Sequence, residues 1–118
     1  MQRTILLVDD DHDIRDVTRA LLESLGYAVI DAPHPAAALD IAAGTTPIDL
    51  ILTDVQLPGM TGFELAGAIQ DLRPSVPFVY ATGGARAASA DRPPGPILAK
   101  PYRIATLRSI VERSLAAA

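Results

Sequence analysis

At 118 residues, 49% of them apolar and with a net charge of −4, the chain is read as one globular domain, residues 1–118, able to bury a hydrophobic core. It contains no cysteine, which excludes disulfides and thiolate metal sites. No apolar run nears the ~20 residues that span a bilayer, the N-terminus lacks a signal-peptide pattern, and no basic block offsets the acidic balance. A cytoplasmic location is therefore expected, without membrane insertion or direct nucleic-acid binding.

The predicted elements form five strand-helix units. Thr4 to Val8 is a short apolar run that enters Asp9-Asp10-Asp11, and runs of this kind suit strands buried on both faces of a parallel sheet. A helix follows from His12 to Leu25, with Ile14, Val17, Leu21 and Leu25 at helical spacing and Gly26 as the stop. Tyr27 to Ile30 gives a second strand, and Pro35 opens an Ala-rich helix that carries Leu39 and Ile41 and ends at Gly44. The third strand, Leu50 to Thr53, runs into Asp54. After the loop from Gln56 to Met60, Thr61 and Glu64 have capping-box spacing, ahead of a helix with Phe63, Ala66, Ile69 and Leu72 as its buried stripe.

Pro77 to Ala81 is the fourth strand and ends at Thr82. Residues 85–91 allow two helical turns at most before the proline cluster that ends at Pro96. Ile97 to Ala99 is a brief fifth strand, followed by Lys100-Pro101. A last helix from Ile104 to Leu115 has Ile104, Leu107, Ile110, Val111 and Leu115 on one face. Strands alternating with helices predict an α/β fold, a parallel sheet covered on both faces.

Four strand ends then carry polar groups suited to phosphate chemistry: Asp9 with Asp10, Asp54, Thr82 and Lys100. Ligands of open parallel sheets bind at these carboxyl ends. Clustered carboxylates about 4 Å apart repel by roughly 4 kcal/mol at an effective dielectric near 20, so a hard divalent cation is the natural counter-charge. A carboxylate can also attack phosphorus to give an aspartyl phosphate, given a metal, a fixed cation and a hydrogen-bond donor. Lys100 is the sole lysine beside nine arginines, and it follows an apolar triplet. Alone, each group has a plainer reading: an N-cap or turn for the aspartates and a surface charge for the lysine.

In order and spacing, these motifs resemble the receiver domain of bacterial two-component response regulators over essentially the whole chain. The resemblance rests on Leu7-Val8-Asp9-Asp10-Asp11, on Leu52-Thr53-Asp54 running through Leu57-Pro58-Gly59-Met60 to Gly62, on Thr82, and on Lys100-Pro101. It implies a flavodoxin-like five-stranded parallel sheet of order 2-1-3-4-5 and an Asp54 that accepts a phosphoryl group. The donor would be a phosphohistidine on a histidine kinase or histidine phosphotransfer protein. It further implies Mg2+ held by Asp10, by Asp54, by the Gln56 backbone carbonyl and, through water, by Asp9. Lys100 and Thr82 would contact the phosphoryl group, and Pro101 would follow a cis peptide bond. The segment from Asp54 to Thr61 is also similar to receivers of hybrid histidine kinases.

Two departures concern signal output. Ile97 stands where the family usually has an aromatic, and the interval between Thr82 and Lys100 is short and proline-rich, so the fourth helix should be short or irregular. Tyr80-Ala81-Thr82-Gly83-Gly84 is similar to a receiver subgroup in which that helix is reduced. Two other functions fit the residues less well. An Mg-dependent aspartate-nucleophile phosphatase wants a second aspartate where Gln56 stands, and a phosphate-independent docking module would not need the full set of chemical groups. His12 reads as an exposed residue of a first helical turn rather than a ligand, and Arg103, Arg108 and Arg113 as solubilising charges.

Overall fold

The computed structural model describes residues 2–83 and 95–117. In chain order the elements are β1 (Thr4–Val8), α1 (His12–Ser24), β2 (Ala28–Ala32), α2 (Pro35–Ala43), β3 (Leu50–Asp54), β4 (Gln56–Leu57), β5 (Met60–Thr61), α3 (Gly62–Leu72), β6 (Phe78–Thr82), β7 (Ile97–Ala99) and α4 (Ile104–Ala117). Five strands form a parallel sheet of order β2-β1-β3-β6-β7. Counted within that sheet, this is the expected 2-1-3-4-5. The other two strands are a small antiparallel hairpin inside what the sequence suggested was a loop. The expectation of a short or irregular fourth helix falls on residues 84–94, outside the described residues.

Alternate strand residues feed two separate cores, as the period of two requires. Leu6, Val8, Ile51, Phe78 and Tyr80 pack with Ala38 and Ala42 of α2 and Leu65, Ala66 and Ile69 of α3. On the opposite face, Ile5, Leu7, Leu50, Leu52, Val79 and Leu98 pack with Leu22 of α1 and Leu107, Ile110 and Val111 of α4. Each fully buried Leu or Ile contributes about 2 kcal/mol of transfer free energy. Burial on both faces explains why Ile5 to Val8 of β1 and Leu50 to Leu52 of β3 are unbroken apolar runs.

Several helix stripes differ from their expected positions. In α1 the buried residues are Thr18 and Leu22, whereas Ile14 and Val17 are 36% and 60% exposed. Ile14 shares a face with residues 18 and 22 by its spacing of four, but it borders the cleft at the strand ends instead of entering the core. Leu72 and Ile104 likewise sit at helix ends and are exposed. Alanines fill the α2 contact, with Leu39 and Ile41 only partly buried against the core.

Candidate functional site

The sheet ends place the acids. β1 delivers Asp9 and Asp10, and the neighbouring β3 ends at Asp54. Carboxylate oxygens of Asp9, Asp10 and Asp54 all lie within 4.8 Å of one another, an arrangement open to a cation. Asp11, the third acid of the run, has a different job. Its side chain caps α1, accepting from the Asp13 and Ile14 N–H groups at 3.0 and 3.1 Å. That removes two unpaired donors from the helix start.

Asp9 is 3% exposed and engaged on all sides. Its N–H donates to the Ala32 carbonyl at 3.2 Å, Oδ1 accepts from the Asp11 N–H at 2.9 Å, and Oδ2 accepts from Lys100. The ammonium of Lys100 donates to Asp9 and to Asp54 at 3.1 Å each, bridging the two strands. β7 brings it there: the Lys100 N–H donates to the Thr82 carbonyl at 2.8 Å, and the peptide bond to Pro101 is cis, as expected. Thr82 ends β6 and is buried beside these groups. A cleft of about 680 Å3 is lined by Asp10, Asp54, Gln56, Thr82, Gly83 and Lys100. The expected site residues therefore meet, and Gln56 is exposed at their edge.

Charge is unevenly shared. Burial raises the Asp54 carboxyl above the usual carboxylate value, and repulsion from Asp9 adds to this, against the lowering effect of Lys100. Burial by itself would lower Lys100, but the hydrogen bonds and charges of Asp54 and Asp9 together hold it above the usual lysine value. The ammonium therefore keeps its charge at the expense of Asp54: Lys100 faces two carboxylates, whereas Asp54 is penalised first by burial and shares the one ammonium with Asp9.

Two supporting groups carry little signal of their role in the sequence. Arg15 donates from Nη1 to the Asp9 carbonyl at 2.8 Å, yet along the chain it looks like any polar helix residue. Gly62, the first residue of α3, sits so close to β3 that an added Cβ would lie 2.2 Å from the Asp54 carbonyl oxygen. Its N–H donates to Val55 at 2.7 Å, so α3 starts hard against the strand end that presents Asp54. A glycine directly after a capping threonine is the one sequence clue to that approach. His12 is exposed and pairs with Asp16 at 3.5 Å, as its plainer reading had it.

Alongside the cleft runs an apolar groove of about 550 Å3, lined by Ile14, Val17, Leu21, Pro101 and Tyr102. Gly83 and Lys100 border both spaces. Tyr102 ties this region together, its hydroxyl hydrogen-bonding Thr18 of α1.

Comparison with known proteins agrees with this architecture. The response regulator receiver domain family matches residues 5–112. The response regulator receiver protein CpdR of Brucella abortus is 33% identical over 120 residues, spanning 98% of this chain and 99% of CpdR. The DNA-binding transcriptional regulator NtrC of Escherichia coli is 32% identical over 98% of this chain, which spans only 25% of NtrC. The solved receiver domain of a sensor histidine kinase from Pseudomonas aeruginosa, with a magnesium ion coordinated in its active site cleft, is 30% identical. That similarity has a TM-score of 0.86 and covers 98% of this chain and 99% of the other. With its sheet order, its acid-lined strand ends and these relatives, the chain belongs to the response regulator receiver domain family.

Proposed function

We propose that the chain is a phospho-accepting signalling switch in which Asp54 takes a phosphoryl group from a phosphohistidine. The observation that carries the reading is the Lys100 ammonium bridging Asp9 and Asp54 at 3.1 Å each, where three carboxylates converge. In the proposed step a carboxylate oxygen of Asp54 attacks phosphorus. The donor's N–P bond breaks, and its electron pair returns to the imidazole nitrogen, which then takes up a proton. In this reading Lys100 follows the new negative charge, and Thr82 donates its hydroxyl to a phosphoryl oxygen; both line the cleft beside Asp54.

The acid set fits Mg2+, which takes few carboxylates and keeps several waters. Asp9, Asp10 and Asp54 would hold it, with the Gln56 carbonyl completing the protein ligands. When bound, the ion neutralises phosphoryl oxygen charge. The relative crystallised with magnesium in its cleft supports the same assignment here.

The partner in this reading is a histidine kinase or a histidine phosphotransfer protein. The apolar groove suits it, because that surface opens onto Gly83 and Lys100 at the mouth of the acid cleft. Among the described residues no helix is long and apolar enough to cross a membrane, and a cytoplasmic donor is assumed.

The test is incubation with a small-molecule phosphodonor, with Mg2+ or with EDTA, followed by intact-mass measurement. One phosphoryl adduct is expected with Mg2+ in the native chain and none in Asp54→Ala. An unmodified native chain, or an adduct retained in Asp54→Ala, would refute the reading. Release of phosphate from phosphomonoesters with turnover would instead favour a phosphatase.

A further inference from the structure

Arg15 is a charged group near the acid cluster that the proposed chemistry leaves unused. Its side chain is only 13% exposed, low for an arginine on a surface helix. Nη1 donates to the Asp9 carbonyl at 2.8 Å, and Nε lies 3.4 Å from Asp31 Oδ2 on β2. Asp31 also accepts from Arg19 Nη1 at 3.0 Å.

The geometry points to Arg15 as a positioning residue for the acid pair, clamping the peptide between Asp9 and Asp10 so that both carboxylates are aimed before a cation arrives. The Asp9 carbonyl and the Asp10 N–H belong to one planar unit, so holding the carbonyl sets the direction in which the Asp10 Cα leaves. The Asp9 N–H is already fixed to Ala32 of β2, and Arg15 fixes the other side of the same residue from α1. A guanidinium so close to a cation site would repel the cation if it stood alone. Asp31, 3.4 Å from Nε, offsets part of that charge, while the Nη1 hydrogen bond constrains the backbone. Arg19 shares Asp31 but has no contact with Asp9 among its hydrogen bonds and ion pairs, which makes it the natural control.

The inference rests on the reading that Asp9, Asp10 and Asp54 bind Mg2+, and the experiment separates the two. Mg2+ is titrated into the phosphate-free native chain and into Arg15→Gln, Arg15→Lys, Asp31→Asn and Arg19→Gln, with amide chemical shifts as the readout. Arg15→Gln should weaken Mg2+ binding about tenfold, as lost outer-shell partners do. Arg15→Lys keeps one donor and should recover part of that loss, while Arg19→Gln should stay within about twofold of native. Asp31→Asn should also weaken binding, and it carries the test if Arg15→Gln does not fold. Native-like affinity in folded Arg15→Gln or, in its place, in Asp31→Asn would overturn the inference while leaving the metal reading standing. Equal weakening in Arg19→Gln would reduce Arg15 to general support of the fold and overturn it too. Absence of Mg2+ binding in the native chain would overturn both.

Discussion

Replacing Asp54 by asparagine should stabilise the metal-free protein. At an effective dielectric near 20, the Lys100 ammonium 3.1 Å away attracts the Asp54 charge by about 5 kcal/mol. Against it, Asp9 and Asp10 each lie within 4.8 Å, repelling by about 3 kcal/mol for buried Asp9 and less for solvent-screened Asp10. Desolvation of a carboxylate only 14% exposed adds to the cost. The sum leaves ionised Asp54 unfavourable, in keeping with its raised pKa. Asparagine keeps an oxygen for Lys100 and loses the repulsion, for a gain of about 1–2 kcal/mol, or about 4–8 °C in Tm.

Two controls follow from the same reasoning. A carboxyl with a raised folded pKa favours the folded state at low pH and opposes it once ionised. The advantage of Asp54→Asn should therefore be largest near neutrality and shrink as pH falls through the raised Asp54 pKa. Mg2+ should reverse the ranking, since hundredfold excess over Kd adds about 2.7 kcal/mol to the form that binds it. Urea unfolding at several pH values, with EDTA or Mg2+, measures all three. A less stable Asp54→Asn in EDTA at neutral pH would refute the charge accounting.

Further predictions concern supporting residues. Gly62→Ala puts a methyl group against the Asp54 carbonyl and should cost about 1–3 kcal/mol, read by urea unfolding, with Mg2+ affinity falling as the strand end shifts. Thr61→Ala removes a capping box formed at 3.1 and 3.0 Å and should cost about 1 kcal/mol while sparing Asp54 chemistry. Val17→Asp, at an exposed groove position, should leave labelling by a small phosphodonor intact and slow transfer from a phosphohistidine protein at least about tenfold. Equal rates from the protein donor would remove the groove from the partner interface.

Much of the site was legible because parallel strands buried on both faces leave an unmistakable apolar signature. Asp9, Asp10, Asp54, Thr82 and Lys100 are the polar residues that end such runs, and sheet order brings them together. Thr61 and Glu64 were legible for a similarly local reason: a capping box is set by spacing alone. Helix faces were harder, since periodicity shows that Ile14, Val17 and Leu21 neighbour one another but not where the sheet beneath them stops. The result is a groove where a buried stripe would have been assumed. Arg15 and Asp31 were not legible at all, because their contact joins a helix and a strand whose relative placement depends on the fold. Asp11 belonged to the acid run in sequence, yet its backbone turns into α1 and uses the carboxylate as a cap.

The central claim is that Asp54 carries the phosphoryl group. Borohydride reduces an acyl phosphate to an alcohol, so a phosphorylated aspartate becomes homoserine and can be located by peptide mass spectrometry. After incubation with Mg2+ and a phosphodonor, homoserine should appear at position 54 and at no other aspartate, and should vanish in EDTA. Homoserine at Asp9 or Asp10, or none anywhere, would contradict it.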